Sequence, residues 1–356
     1  MTQDVVITGK GCILPAAIGA GAFGDVLFGS AARPEGPASR KIETLAEESK
    51  KRLPALIRRR MSRLSVMVAL SCGEAFPSAG VDVEAGKEDI GFAFGTGYGE
   101  LNTTSRIFIA GIGEHMSPTH FHNSVHNVPL GYAGIITGIK GPSLTFSDGH
   151  VSGESAIIRA AMMIRGGMID VLAAGGGDER YDFPLFDDPG QGGDPGEGSG
   201  FLVVESGRSA EGRKRSPLCA ISGCSKRSFG GDPGDVASRV ECVGASISEA
   251  LEAAGSDAQP AVFTHLRGEG REDDIIMESL QRVFGRNVPL WSSKGLCGAF
   301  TATGALRSVA AVLSIEKGML PVDTVHPEGP GKSARNILVL GMDPEGDAAS
   351  IVFSGP

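Results

Sequence analysis

Residues 141–153, Gly-Pro-Ser-Leu-Thr-Phe-Ser-Asp-Gly-His-Val-Ser-Gly, restrict the fold more than any other stretch of the chain. A short apolar strand, a glycine-marked turn and the helical run over residues 154–165 follow one another with almost no connecting residues. That order puts His150 at a helix N-terminus, where the backbone dipole favours a neutral imidazole able to act as a base or to accept a hydrogen bond. Asp148 lies close by in sequence. Residues 149–153 do not make a Gly-x-Ser-x-Gly elbow, because the serine stands one place late.

Apolar strands and amphipathic helices alternate along the rest of the chain, which predicts an α/β architecture with buried sheets. Strands are expected over residues 5–9, 90–95, 143–147, 171–174 and 201–205. A helix is expected over 60–76, where Leu64, Met67, Val68 and Ala75 fall near helical spacing. After a charged stretch at 206–215 the pattern restarts with a strand over 218–222 and a helix over 236–254. Strands then run into His265 and into Lys294, followed by a helix over 302–316 and paired strands over 336–340 and 349–353. The expected division is residues 1–207 and 216–356, joined by a linker over 208–215.

Composition narrows the choice of partner. With 356 residues, 41 % hydrophobic and 21 % charged, the chain has the make-up of a soluble globular protein of one large or two smaller domains. A net charge of −9 argues against a nucleic-acid partner. Six cysteines without a Cys-x-x-Cys pair suit a reduced, cytoplasmic setting. No apolar run approaches the ~18 residues that span a bilayer, and no signal peptide is visible before the first strand.

Four other features have bland readings that outweigh their chemical ones. Residues 19–24 fit Gly-x-Gly-x-x-Gly, but the segment before them contains Pro15 instead of a clean strand, which argues against a dinucleotide loop. His115, His120, His122 and His126 crowd together without the spacing or the further ligands of a zinc site, so no metal is expected. Cys297, three residues after Lys294, reads as a small buried loop residue. Lys50, Lys51, Arg52, Arg58, Arg59, Arg60 and Arg63 form a basic patch; it reads first as a solvated helix face and second as a docking surface for an acidic carrier protein.

The order of these segments resembles the β-ketoacyl synthases. Residues 5–11 resemble that family's opening strand, 95–99 (Gly-Thr-Gly-Tyr-Gly) a glycine-rich turn, and 170–176 the strand after the nucleophile helix. Residues 196–205 are similar to its Gly-Glu-Gly-Ala-Gly strand, although the linker before them, 186–195, is shorter than usual. The resemblance implies a thiolase-like fold of two pseudo-symmetric halves in a layered αβαβα arrangement, with no cofactor.

The resemblance also implies what chemistry is missing. The family's nucleophilic cysteine falls at His150, its first histidine at His265, its lysine at Lys294, and its second histidine at Ala299. Pro344 falls at or beside the phenylalanine whose backbone N–H helps to build the oxyanion hole, and proline has no N–H. Without a thiolate there is no acyl-enzyme route. The pattern is that of the chain-length-factor subunits, which lack the cysteine, pair with an active ketosynthase and shape the tunnel for a chain growing on the phosphopantetheine of an acyl carrier protein. It implies a tunnel and interface role for Phe121, His122 and Val125, and dimerisation through the strand at 143–147. The alternatives are a stand-alone hydrolase, transferase or decarboxylase of acyl thioesters that uses His150, His265 and Lys294, and a scaffolding homodimer.

Overall fold

The computed structural model describes residues 3–32, 41–86, 89–112, 118–181, 195–255, 259–266, 268, 270–285, 287–326 and 333–356. Its strands are β1 (Val5–Leu14), β2 (Ala17–Ile18), β3 (Ile90–Gly95), β4 (Ser143–Phe146), β5 (Val171–Asp178) and β6 (Gly198–Ser206), then β7 (Cys219–Arg227), β8 (Ala261–Thr264), β9 (Leu290–Ser292), β10 (Asn336–Met342) and β11 (Ala348–Ser354). The helices of the first half are α1 (Ala20–Leu27), α2 (Leu45–Arg52), α3 (Ala55–Arg58), α4 (Arg63–Ala79), α5 (Val83–Gly86), α6 (Leu101–Ile112), α7 (Pro118–His122), α8 (Val128–Thr137) and α9 (Ser152–Arg165). After them come α10 (Gly207–Gly212), α11 (Val236–Ala254), α12 (Arg271–Phe284), α13 (Lys294–Cys297) and α14 (Thr303–Lys317).

The strand order is β4-β3-β5-β6-β1-β7-β11-β10-β8-β9, with β2 paired to β1. Cut between β1 and β7, both halves follow one plan. Leaving out the two-residue β2, the spatial order in each half is third, second, fourth, fifth, first strand. In each half the second strand runs parallel to the third and fourth. The fifth runs antiparallel to the fourth and the first. The seam is short: Val6 faces Ala220 and Ile7 faces Cys219. The duplication lies in topology, where no repeat of residues announces it.

Three cores give the layers. One outer core packs α4 and α8 on the first half of the sheet, and another packs α11 and α12 on the second. Between them a central core joins α9 and α14 to the inner faces of both halves. In α14 every residue from Thr303 to Ile315 is buried, as expected of a helix covered on all sides. The two central helices approach closely at glycines: a Cβ on Gly153 would stand 2.7 Å from the Ala305 nitrogen, inside contact distance. This contact brings the N-terminal turns of α9 and α14 to one point in the middle of the molecule.

Local chemistry sets the element ends. Helix α4 starts at Arg63, not at 60, because the Ser62 side chain accepts the Ser65 N–H as an N-cap; it ends at Gly80 in the left-handed conformation. Strand β1 runs five residues beyond its expected end, pairing with β6 as far as Ile13 opposite Ser199. Its glycines mask it in sequence, yet side chains at Gly9 and Gly11 would collide with the backbone of α4. The charged stretch expected as a linker forms α10. Arg213 ties it down through Glu205 at 2.6 Å and the Ala79 and Gly80 carbonyls.

Candidate functional site

His150 lies in a single 3₁₀ turn, Gly149–Val151, that leads into α9. Gly149 holds a positive φ of 55° there, and a Cβ on it would stand 2.1 Å from Asp343 Oδ2. That oxygen accepts the His150 backbone N–H at 2.7 Å and lies 3.2 Å from the ring Nδ1. Asp343 Oδ1 accepts the Glu345 N–H at 2.9 Å, and the Asp343 N–H donates to the Asp347 carbonyl at 2.8 Å. Burial raises the Asp343 acid, but the hydrogen bonds from the His150 ring and N–H and from Glu345 outweigh it and hold the carboxyl below its ordinary range. A carboxylate thus fills the anion position at the start of α9. Asp148 points elsewhere, to Lys226 at 2.8 Å.

His150 and His265 meet at one cavity, with Thr264, Glu272, Thr303 and Arg307 among its walls. Its volume is about 20 Å³, room for roughly one water molecule. Behind it a buried ion pair joins the central helices, with Arg307 Nη2 2.6 Å from Glu154 Oε1. The other expected positions stand outside the cavity wall. Lys294 opens α13 half-buried, its Nζ beside the Gly268 backbone. Ala299 is buried, and its carbonyl accepts the Gly196 N–H at 2.9 Å. Pro344 follows Asp343 in the turn between β10 and β11. Phe121, His122 and Val125 are exposed on α7 and just after it.

Sequence reasoning missed Asp343, Glu154 and Arg307. For Glu154 and Arg307 the signal was present, as opposite charges inside otherwise apolar helices. It also missed Asp178, fully buried at the end of β5. The Asp178 carboxylate accepts Thr96 Oγ1 at 2.5 Å, the Gly97 N–H at 3.1 Å, the Thr301 hydroxyl and the Ala302 N–H at 2.8 Å. It thereby fastens the glycine-rich turn at 95–99 to the residues that lead into α14.

The remaining motifs lie outside the wall of the cavity at His150 and His265. The first turn of α1 is already capped by an acid: Glu74 accepts the Ala20 N–H at 2.7 Å and the Cys12 N–H at 3.0 Å. A phosphate would meet that carboxylate, so residues 19–24 do not cradle a nucleotide. His115 lies outside the described residues; among the described residues no three histidine, cysteine or acidic side chains are grouped to hold a metal. Cys297 is fully buried, with its Sγ 3.5 Å from the Ser293 carbonyl. Of the basic patch, Lys51 and Arg52 pair with Glu48 and Arg63 turns inward to Glu197, while Lys50, Arg59 and Arg60 stay exposed. Among the described residues no helix is long and apolar enough to cross a membrane.

A profile of the β-ketoacyl synthase N-terminal domain matches residues 32–177. A Streptomyces halstedii protein named as a polyketide β-ketoacyl synthase 1 is 25 % identical, with 100 % of this chain and 99 % of that protein covered. The solved structure of the ishigamide ketosynthase/chain length factor superposes with a TM-score of 0.82 at 19 % identity, over 100 % of both chains. A type II polyketide synthase acyl-carrier protein in complex with its ketosynthase bound to the hexaketide matches with a TM-score of 0.78 at 20 % identity, again over 100 % of both chains.

Proposed function

We propose that this member of the β-ketoacyl synthase family, with its thiolase-like fold, is a non-condensing subunit that acts as a chain-length factor beside an active ketosynthase. The observation that carries this reading is Asp343. Its carboxylate holds the His150 N–H at 2.7 Å, in the place where a condensing enzyme would hold a thioester oxyanion. A negative group there repels the charge that condensation develops. Residue 150 itself carries imidazole instead of a thiol, and the residue after Asp343, Pro344, has no N–H to offer.

The His150–Asp343 pair does resemble the orienting half of a catalytic dyad. A cavity of about 20 Å³ nevertheless leaves no space for an acyl thioester beside it, which weighs against a stand-alone thioester enzyme. Pairing with a second subunit is supported by β4, which stands at the end of the strand order with one edge unmatched among the described strands. Phe108 and Ile109 on α6, Phe121 on α7, Val125 just after it and Ile135 on α8 are exposed, more apolar surface than an isolated chain needs. Together these support an interface in which Phe121, His122 and Val125 line the tunnel of the partner. The exposed cations at Lys50, Arg59 and Arg60 suit an acidic acyl carrier protein.

A single substitution tests the catalytic half of the proposal. The His150→Cys variant, assayed alone for elongation from a malonyl-carrier substrate, is expected to stay at least about 10²–10³-fold below an active synthase, because the oxyanion position remains blocked. Elongation at a synthase-like rate by that variant would refute the assignment of Asp343.

A further inference from the structure

Where the starts of α4 and α6 meet the end of β5, three buried carboxylates lie near one guanidinium, which hydrogen-bonds one of them. Glu197 is fully matched: Arg63 binds both its oxygens, with Nε at 2.7 Å, and the Ile42 N–H donates at 2.5 Å and the Arg180 N–H at 3.3 Å. Glu100 is fully buried yet meets only hydroxyls, from Ser62, from Ser65 at 3.2 Å and from Thr103 at 3.3 Å. Glu179 is 3 % exposed, and its Oε1 has no hydrogen-bond partner among the described residues. Arg63 gives its hydrogen bonds to Glu197 and the Ile42 carbonyl, and Glu179 receives one from Asn102, so among the described residues no cation is hydrogen-bonded to Glu100 or Glu179. An ionised carboxylate buried in that way costs several kcal/mol, and the group avoids the cost by keeping its proton.

We propose that Glu100 and Glu179 form a proton lock: they stay protonated while this corner is closed and ionise as the start of α6 separates from the end of β5. Burial pushes Glu100 up to about 7. Burial, and then the neighbouring Glu100, push Glu179 up to about 8. The titrating or charged groups that act on the pair directly are Glu197, Arg63, Tyr181 and Tyr132; beyond them Glu43 faces Arg63, Arg60 faces Tyr132, and Asp178 and Tyr98 face Tyr181. Of these cations, Arg63 hydrogen-bonds Glu197 and the Ile42 carbonyl.

The sign follows from linkage. Exposed glutamates ionise near 4.5, so between that pH and about 7 to 8 the closed state binds more protons than the open one. Raising pH through that window favours opening by about tenfold per pH unit for each proton released, and the effect levels off above it. Helix α6 also carries the exposed Phe108 and Ile109. The lock would therefore make partner binding weaken as pH rises; that consequence alone rests on the subunit role proposed above.

The test uses the isolated chain, so it stands apart from any partner. Carboxyl ¹³C NMR of glutamate-labelled protein, with hydrogen exchange over residues 98–104, is followed from pH 5 to 9. Two glutamates are expected to titrate above pH 6, with exchange in α6 rising beyond the intrinsic trend. The Glu100→Gln/Glu179→Gln variant should remove both signals and flatten the exchange. Titration of every glutamate below pH 5.5, or an unchanged pH response in the variant, would overturn the proposal. If the variant fails to fold, the wild-type titration alone decides.

Discussion

Exchanging Arg307 for methionine is expected to cost the protein about 3–5 kcal/mol, the usual range when one partner of a buried ion pair is removed. The pair joins α9 to α14 at 2.6 Å, with side chains 0 % and 2 % exposed. Glu154 cannot retreat to solvent once its cation is gone. A Cβ on Gly304 would lie 1.9 Å from its carboxyl carbon, and one on Gly341 2.4 Å from Oε1, so the backbone encloses it. Adding Glu154→Leu to Arg307→Met should restore most of the loss, since an apolar pair of similar volume is often as stable as the ions it replaces. Chemical denaturation of the three variants reads this directly. A loss under about 1 kcal/mol for Arg307→Met would mean that the pair does not hold the centre together.

Asp178→Ala should be nearly as damaging, at about 3 kcal/mol or more. It removes the acceptor of the Ala302 N–H and of the Thr96 and Thr301 hydroxyls, and each buried donor left unmatched costs about 1–3 kcal/mol. The Thr96 and Thr301 hydroxyls can rotate to other acceptors; the Gly97 and Ala302 N–H groups are fixed, although Gly97 also meets the Thr301 hydroxyl at 3.0 Å. Asp178→Asn should recover only part of the loss, because its amide must face one of those fixed donors. Thermal unfolding ranks the variants, and a wild-type melting point for Asp178→Ala would contradict the role of this residue as a fastener.

Much of the architecture was legible before any coordinates. Helix α11 matches its expected bounds of 236–254, because a capped amphipathic run between glycine-rich loops leaves little choice. Strands β3, β8 and β10 begin where their apolar runs begin. Glycine obscured the rest. Gly9 and Gly11 weaken β1 as a local signal although they are what lets α4 lie against it. The ends of β5 and β6 are similarly glycine-rich, and Gly175 and Gly200 permit a close backbone approach there.

The candidate site was legible in part, and for a comparable reason. His150 and His265 each sit at the end of a regular element, and they meet at one cavity. Asp343 lies 193 residues from His150 in a turn, where spacing carries no information about contact. Asp148, the nearer candidate, is drawn off by Lys226, a residue on the far half of the sheet. Proximity in sequence was the wrong guide at a site built where two halves of a chain meet.

The proposed role rests on the Asp343 carboxylate at the His150 N–H and on a sheet edge left unmatched among the described strands. The most direct test is to co-express the chain with the ketosynthase encoded nearest to it, examine the product by native mass spectrometry, and assay elongation from a malonyl-carrier substrate. The expected result is a one-to-one complex that elongates only when both chains are present. A stable homodimer that ignores the synthase, and turns over an acyl thioester unaided, would contradict the account and return attention to His150.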